Sequence, residues 1–280
     1  MKTIKYTDIV NKTKELALEA NFNLPKDVYN ALLEAKEKET SPLGKSVIEI
    51  VLKNARVAKE EQLAICQDTG VVVVFAEIGQ DVRIEGGLLA DAINEGVRQA
   101  YEEGYLRKSV ISDPVERINT ADNTPAVIHF SLVEGDQLHL TLAPKGFGSE
   151  NMSRLKMFKP TDDIELIKNF ILDTVVEAGG NPCPPIIMGI GLGGTMEKAG
   201  LLAKKALFRK IGSKHPKKHL AELEEELLIL INKTGVGPQG FGGSQTALAV
   251  FIEEFPTHIA GLPVAVNLNC HAARHAEAIL

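Results

Sequence analysis

Residues 181–195 read NPCPPIIMGIGLGGT, and several unusual features meet there. Cys183 has proline before it and two prolines after it. An apolar run over 186–190 leads into a glycine-rich turn over 189–194. A helical pattern follows over 196–208, so the stretch predicts strand, turn and helix. Proline holds φ at about −65° and restricts the residue before it, so residues 181–185 are expected to form a stiff, extended loop. A thiol fixed in such a loop suits a metal ligand, whose bond lengths tolerate little error. A small hydrophobe packed in the core is the competing reading of the same residue.

Working outward, three helical patterns precede this stretch, over 7–19, 25–39 and 43–61. The third carries Val47, Ile50, Val51, Asn54 and Val57 along one side. Cys66-Gln67-Asp68-Thr69-Gly70 then forms a polar turn into a buried, β-branched strand at 71–75. Another helix is expected over 88–103. The irregular stretch 106–125 carries Arg107 and Arg117, each able to clamp a carboxylate bidentately or to stand solvated. Segments 126–132 and 137–143 flank a short acidic loop and predict a β-hairpin. The second of them runs into KGFGSENM at 145–152, where glycines allow close backbone approach and a nest for an anion. A helix over 162–178, capped by Thr161 or Asp162, ends at Gly179-Gly180.

Beyond residue 208 come a helix over 220–233 and a second glycine-rich loop, GVGPQGFGG at 235–243. Strands over 246–252 and 262–268 follow, and the last cysteine lies in NLNCHAARH at 267–275. Helices come first and strands then mix with helices without a steady βαβ rhythm. The expected fold is α+β (mixed α/β), one continuous domain over 1–280 with mixed sheets and glycine-rich loops.

Composition narrows the function. The 280 residues are 44% hydrophobic and 24% charged, the balance of a globular chain. A net charge of −6 disfavours nucleic acid or an anionic membrane as partner. Residues 1–15 are polar, with no apolar signal region, and no apolar run is long enough to span a bilayer, so a soluble, cytoplasmic protein is expected. Cys66, Cys183 and Cys270 are the three cysteines, with no CxxC spacing. Their odd number argues against a disulfide framework.

Gly189, Gly191 and Gly194 satisfy GxGxxG after a strand and before a helix, which raises a dinucleotide-binding fold. That fingerprint normally opens the first βαβ unit, and the acidic residue due about twenty positions on is replaced by Arg209, Lys210 and Lys214. The cysteines make the stronger pattern, because each sits in a polar or proline-stiffened turn. A [4Fe–4S] cluster normally takes four thiolates, and with three of them one iron keeps the open position that Lewis-acid catalysis needs.

CQDTG, KGFGSENMS, NPCPPIIMGIGLGGT, GPQGFGG and NLNC, in this order, resemble the iron–sulfur (class I) fumarate hydratases over essentially the whole chain, in their α-subunit or N-terminal portion. Tartrate dehydratase α-subunits share CQDTG and a CPP segment, while KGFGSEN is nearer the fumarase version. The resemblance implies a [4Fe–4S] cluster held by Cys66, Cys183 and Cys270, with substrate on the iron that no protein residue ligates. It implies contacts to a small dicarboxylate from Gln67, Asp68, Arg107 and Gly148, and an acid–base role for Asp68 and His258. Arg274 matches a basic position and is expected to bind substrate. Single-chain relatives continue into a domain that supplies the base, so a β-subunit is the implied partner, in a dimer of αβ pairs. Fumarate hydration to L-malate, a tricarboxylic acid cycle step, is the expected reaction, with tartrate or mesaconate chemistry as alternatives.

Overall fold

The structure, a computed structural model, describes residues 2–280. In chain order it contains β1 (Lys2–Lys5), α1 (Tyr6–Phe22), α2 (Lys26–Lys38), α3 (Pro42–Glu61), β2 (Val71–Gly79), β3 (Val82–Glu85) and α4 (Leu89–Glu103). There follow β4 (Val127–Val133), β5 (Leu138–Lys145), α5 (Phe147–Glu150), β6 (Arg154–Phe158), α6 (Ile164–Ala178), β7 (Ile186–Gly193) and α7 (Met196–Ala206). The chain closes with α8 (Lys218–Asn232), β8 (Ala247–Phe255), β9 (Leu262–Asn269) and β10 (Ala276–Ile279). This is the expected α+β fold. The elements gather into two compact units, one of Met1–Pro25, Asn54–Phe147 and Arg274–Leu280, the other of Lys26–Lys53 and Gly148–Ala273. No helix among the described residues is long and apolar enough to cross a membrane.

In the first unit a four-stranded sheet runs in the order β10-β5-β2-β4. Val72, Val74 and Ala76 of β2 and Leu138, Leu140 and Leu142 of β5 share one face, where Ile9, Leu16, Ile93, Val97 and Tyr101 of α1 and α4 join them in a single core. The hairpin expected from 126–143 does not form. β2 lies between the two strands, parallel to β4 and antiparallel to β5. A valine run this deeply buried needs both of its backbone edges hydrogen-bonded, which puts β2 in the middle. β4, with its largely exposed side chains, takes the edge. The turn after β4 instead closes on the end of β2, where Gly79 N donates to Gln137 O (2.8 Å) and Gln80 N to Val133 O (2.9 Å).

The second unit is built on a sheet of order β6-β9-β7-β8. Ile186, Met188 and Ile190 of β7 face Ile167, Ile171 and Val175 of α6 and Leu227 and Ile231 of α8. On the other face α7 lies directly on the strand. A Cβ at Gly189 would stand 2.1 Å from Ala203 O, and one at Gly191 1.9 Å from Ala199 O. These two glycines therefore belong to the strand, not to a turn, and they exist so that α7 can approach it. That corrects the turn expected over 189–194 and removes the physical basis for a phosphate cradle there.

Two smaller expectations also change. α3 buries Ile48, Val51, Leu52, Ala55 and Ala58, whereas Ile50 and Val57 are exposed. Small alanines allow a close-packed face and win over the bulkier residues expected to lie inward. The cap of α6 is Asp163, whose carboxylate accepts from Glu165 N at 3.1 Å, while Asp162 accepts from Lys159 N in the preceding turn.

Candidate active site

The turn carrying Cys66, Gln67 and Asp68 enters β2 and is fastened from several sides within the first unit. Asp68 Oδ1 accepts from Gly70 N (3.0 Å) and Asp68 Oδ2 from Phe147 N (2.7 Å). The anion nest expected at 145–148 is thus filled in part by this chain's own carboxylate. Tyr101, fully buried in α4, donates its hydroxyl to Thr69 O (2.5 Å). Burial pushes the Tyr101 phenol well above its ordinary pKa, so it remains a donor. Thr69 Oγ1 donates to Arg107 O at 2.7 Å, and Asn123 Nδ2 donates to Gly70 O at 3.1 Å. The Arg107 side chain is exposed, Gln67 is exposed and Cys66 is half-buried, with its thiol 3.3 Å from Gln67 Oε1. Arg274 is buried; its guanidinium donates to Asp68 O and lies 3.5 Å from Pro144 O.

Cys183 and Cys270 belong to the second unit. The loop around Cys183 is a tight turn, not the extended loop expected. Cys183 N donates to Gly180 O at 3.0 Å, and Cys183 has φ of 54°. The second glycine-rich loop clasps this turn: Gln239 N and Nε2 both donate to Pro184 O, at 2.8 and 2.9 Å. Gln239 Nε2 also lies 3.0 Å from His271 Nδ1, and His271 N donates to Cys183 O at 3.3 Å. His271 Nδ1 lies 3.0 Å from Cys183 O as well, so this ring nitrogen sits between an amide donor and a carbonyl acceptor. The residue after Cys270 is in this way tied to the Cys183 turn. Gln239 and His271 were not singled out from the sequence; the one signal for Gln239 was a lone amide in a glycine-rich loop. Gly148 stands nearby in the same unit, where an added Cβ would be 3.5 Å from Asn181 O. His258 is exposed, accepts from Ala260 N on Nδ1 (3.2 Å), and lines a cleft of about 390 Å³ with Thr195, Lys198 and Phe255.

Glu39 anchors the far side of the same glycine-rich loop and also went unnoticed in the sequence. It is 2% exposed, and its carboxylate accepts from the backbone N–H groups of Thr40, Ser41, Ser244 and Gln245 at 2.7–3.0 Å. Burial pushes its pKa up, but these donors together hold it below the ordinary value of 4.5. A carboxylate with a depressed folded-state pKa stabilises fully above the unfolded value, and the benefit fades as pH falls through the folded value. Glu39→Gln is therefore expected to cost about 1–3 kcal/mol at neutral pH. The gap in melting temperature from the parent should narrow steadily below pH 4.5, as thermal melts at a series of pH values will read.

Among the described residues Cys66, Cys183 and Cys270 form no disulfide, and each is half-buried. Within neither unit do three or more His, Cys, Asp or Glu side chains form a metal-binding group among the described residues. The donor set nevertheless fits a soft, thiolate-held centre: three cysteines outside disulfides, none locked fully inside the core, with Cys66 and Cys183 on hydrogen-bonded turns and Cys270 at the end of β9.

The chain belongs to the fumarate hydratase (Fumerase) family, a family of hydro-lyases, whose model matches residues 10–279. The putative L(+)-tartrate dehydratase subunit alpha of Methanocaldococcus jannaschii is 47% identical to it over 279 residues, 98% of this chain and 96% of that protein. The L(+)-tartrate dehydratase subunit alpha of Escherichia coli K12 is 31% identical over 275 residues, 95% and 89% of the two chains.

Proposed function

We propose that this chain is the α-subunit of a [4Fe–4S]-dependent fumarate hydratase that interconverts fumarate and L-malate, with residues 1–280 acting as one subunit. Cys66, Cys183 and Cys270 would hold the cluster, leaving one iron without a protein ligand. The observation that carries this reading is the set of three half-buried cysteines outside disulfides, two on hydrogen-bonded turns and one at the end of β9, in a chain matched by the Fumerase family over 10–279. When bound, such a cluster supplies Lewis acidity toward the hydroxyl that leaves or is added. An odd number of cysteines, which argues against a disulfide framework, suits a reducing compartment and supports a cytoplasmic location.

The chain's own residues would do the rest. A dicarboxylate needs fixed donors at both ends, and Gln67, Arg107 and the backbone at Gly148 provide an amide, a cation and N–H groups. The Asp68 carboxylate, held by two backbone donors, cannot rotate away from its turn. It would share the acid–base work with His258, whose Nδ1 is engaged by Ala260 N, so the exchangeable proton resides on Nε2. The base and further cations would come from a β-subunit. The relatives named subunit alpha, which this chain matches nearly end to end, support such a partner, and a dimer of αβ pairs is the assembly we propose.

A second reading, dehydration of L(+)-tartrate, is favoured by the names of those same relatives. A difference of one hydroxyl is discriminated by a polar pocket through hydrogen bonds made or left unpaired. Co-expression with the β-subunit under nitrogen, followed by assays on malate, tartrate and mesaconate, decides between them. The fumarate reading expects kcat/KM for malate to exceed that for tartrate by at least about a hundredfold. Tartrate turned over faster than malate would install the second reading, and turnover of neither acid would end both.

A further inference from the structure

We propose that Arg274 serves this reaction as a positioning residue for the Cys66-Gln67-Asp68 turn, not as a contact to the substrate; the inference rests on the hydratase reading above. Arg274 is 3% exposed, so its guanidinium has no open face to offer a dissolved dicarboxylate. Two of its three nitrogens are directed at main-chain carbonyls. Nη2 donates to Asp68 O, in the turn before β2, and Nε lies 3.5 Å from Pro144 O on β5. Those strands are neighbours, with Val72 opposite Pro144 and Val71 opposite Lys145 in the antiparallel ladder. The guanidinium thus adds a cross-strand link beyond the last rung, where the ladder can no longer hold the chain.

The carboxylate of Asp68 continues the link by accepting from Gly70 N and Phe147 N. Asp68 is therefore pinned at its carbonyl by Arg274 and at its side chain by two amides. Cys66 and Gln67 lie between two anchors, Ile65, whose N donates to Asn21 O (2.9 Å) and whose O accepts from Asn54 Nδ2 (2.8 Å), and Asp68, so loosening the Asp68 anchor frees one end of the turn. The planar fork of arginine can address two carbonyls on adjacent strands, whereas a lysine is a single point donor. Nη1 is buried without a hydrogen-bond partner, so the cation is kept at some cost to the fold. That cost is intelligible if the geometry it imposes is needed for the chemistry.

The test uses Arg274→Gln and Arg274→Lys in the full chain, with two independent readouts. The first is the rate at which iodoacetamide alkylates Cys66 in the full chain freed of metal, resolved by peptide mass spectrometry with Cys183 as internal reference. Loss of charge-assisted hydrogen bonds should raise Cys66 labelling relative to Cys183 by about tenfold in the glutamine variant. The second is steady-state kinetics of the reconstituted complex with its β-subunit. Positioning predicts a fall in kcat with KM for malate unchanged within about twofold, because the lost interaction does not touch substrate. A raised KM with Cys66 labelling unchanged would overturn the proposal and make Arg274 a substrate contact. If the glutamine variant labels at every cysteine like a denatured chain, the lysine variant decides. Intermediate Cys66 labelling and kcat support the role, and parental values for both refute it. Labelling does not depend on which acid is turned over, so failure of the hydratase reading would show separately, as inactivity of the parent complex.

Discussion

On the cluster reading, Cys183→Ala is expected to leave a folded chain that no longer assembles the proposed cluster. The turn around residue 183 is made by backbone groups, Cys183 N to Gly180 O and His271 N to Cys183 O, and by Gln239 donating to Pro184 O. All of these survive in alanine, which meets the positive φ at this position with the same Cβ that cysteine carries. The stability change should stay within about 1 kcal/mol, since only a half-buried thiol and its long contact to Asn181 O are lost. The chemistry should not survive. Parent protein reconstituted under nitrogen should carry about four irons per chain, and the variant a small fraction of that. Removing a single oxyanion-hole donor costs about 10²–10³ in kcat, so losing the Lewis acid should cost at least about 10³. Iron analysis, visible absorbance and malate turnover read the result together. A Cys183→Ala complex with full iron and parental activity would remove the cluster assignment, and the fumarate mechanism with it.

Gly191→Ala is expected to destabilise the chain strongly through a single added methyl. Its Cβ would lie 1.9 Å from Ala199 O and 2.7 Å from Ala203 N, both backbone atoms of α7 that no rotamer change can move aside. The helix must lift off β7, opening the small-residue contact of Ala199 and Ala203 against Ala265. Overpacking of this kind typically costs about 1–3 kcal/mol, and the backbone clash places this variant at the upper end. In a chain of this size about 3 kcal/mol corresponds to a fall in melting temperature of roughly 6–12 °C. Gly200, inside α7, is the control. No atom lies within 4 Å of a Cβ built there, and alanine is the better helix former by about 1 kcal/mol. Gly200→Ala should therefore raise the melting temperature while Gly191→Ala lowers it. The same sign for both variants would refute the account of α7 seated on glycine.

Much of the local structure was legible because periodicity is a local property. The valine run became β2, the apolar stretch at 186–190 became the core of β7, and the helical patterns became α1, α2, α4, α6, α7 and α8, with ends shifted by a few residues. The apolar face of α3 was misread because hydrophobicity alone favours Ile50 and Val57 over the alanines that actually pack. The hairpin at 126–143 was misread for a related reason. Two strands joined by a short loop pair by default, unless a third and more apolar strand claims the space between them, and β2 does so here.

The site divides in the same way. Cysteines in polar or proline-bounded segments, the CQDTG turn and the glycine-rich segments stand out directly, since residue type and neighbours suffice to mark a thiol as lying outside the apolar core. The sequence by itself thus determined which family the chain would join and marked the three cysteines as its candidates for chemistry. Only the tertiary structure decided what holds those atoms still: Glu39 on the glycine-rich loop, Gln239 and His271 at the Cys183 turn, and Tyr101 and Arg274 on the Cys66 turn. These partners lie far from the turns in sequence. A hydrogen bond between distant residues leaves no periodic trace along the chain, because it depends on which strand lies beside which and on how closely a helix can approach.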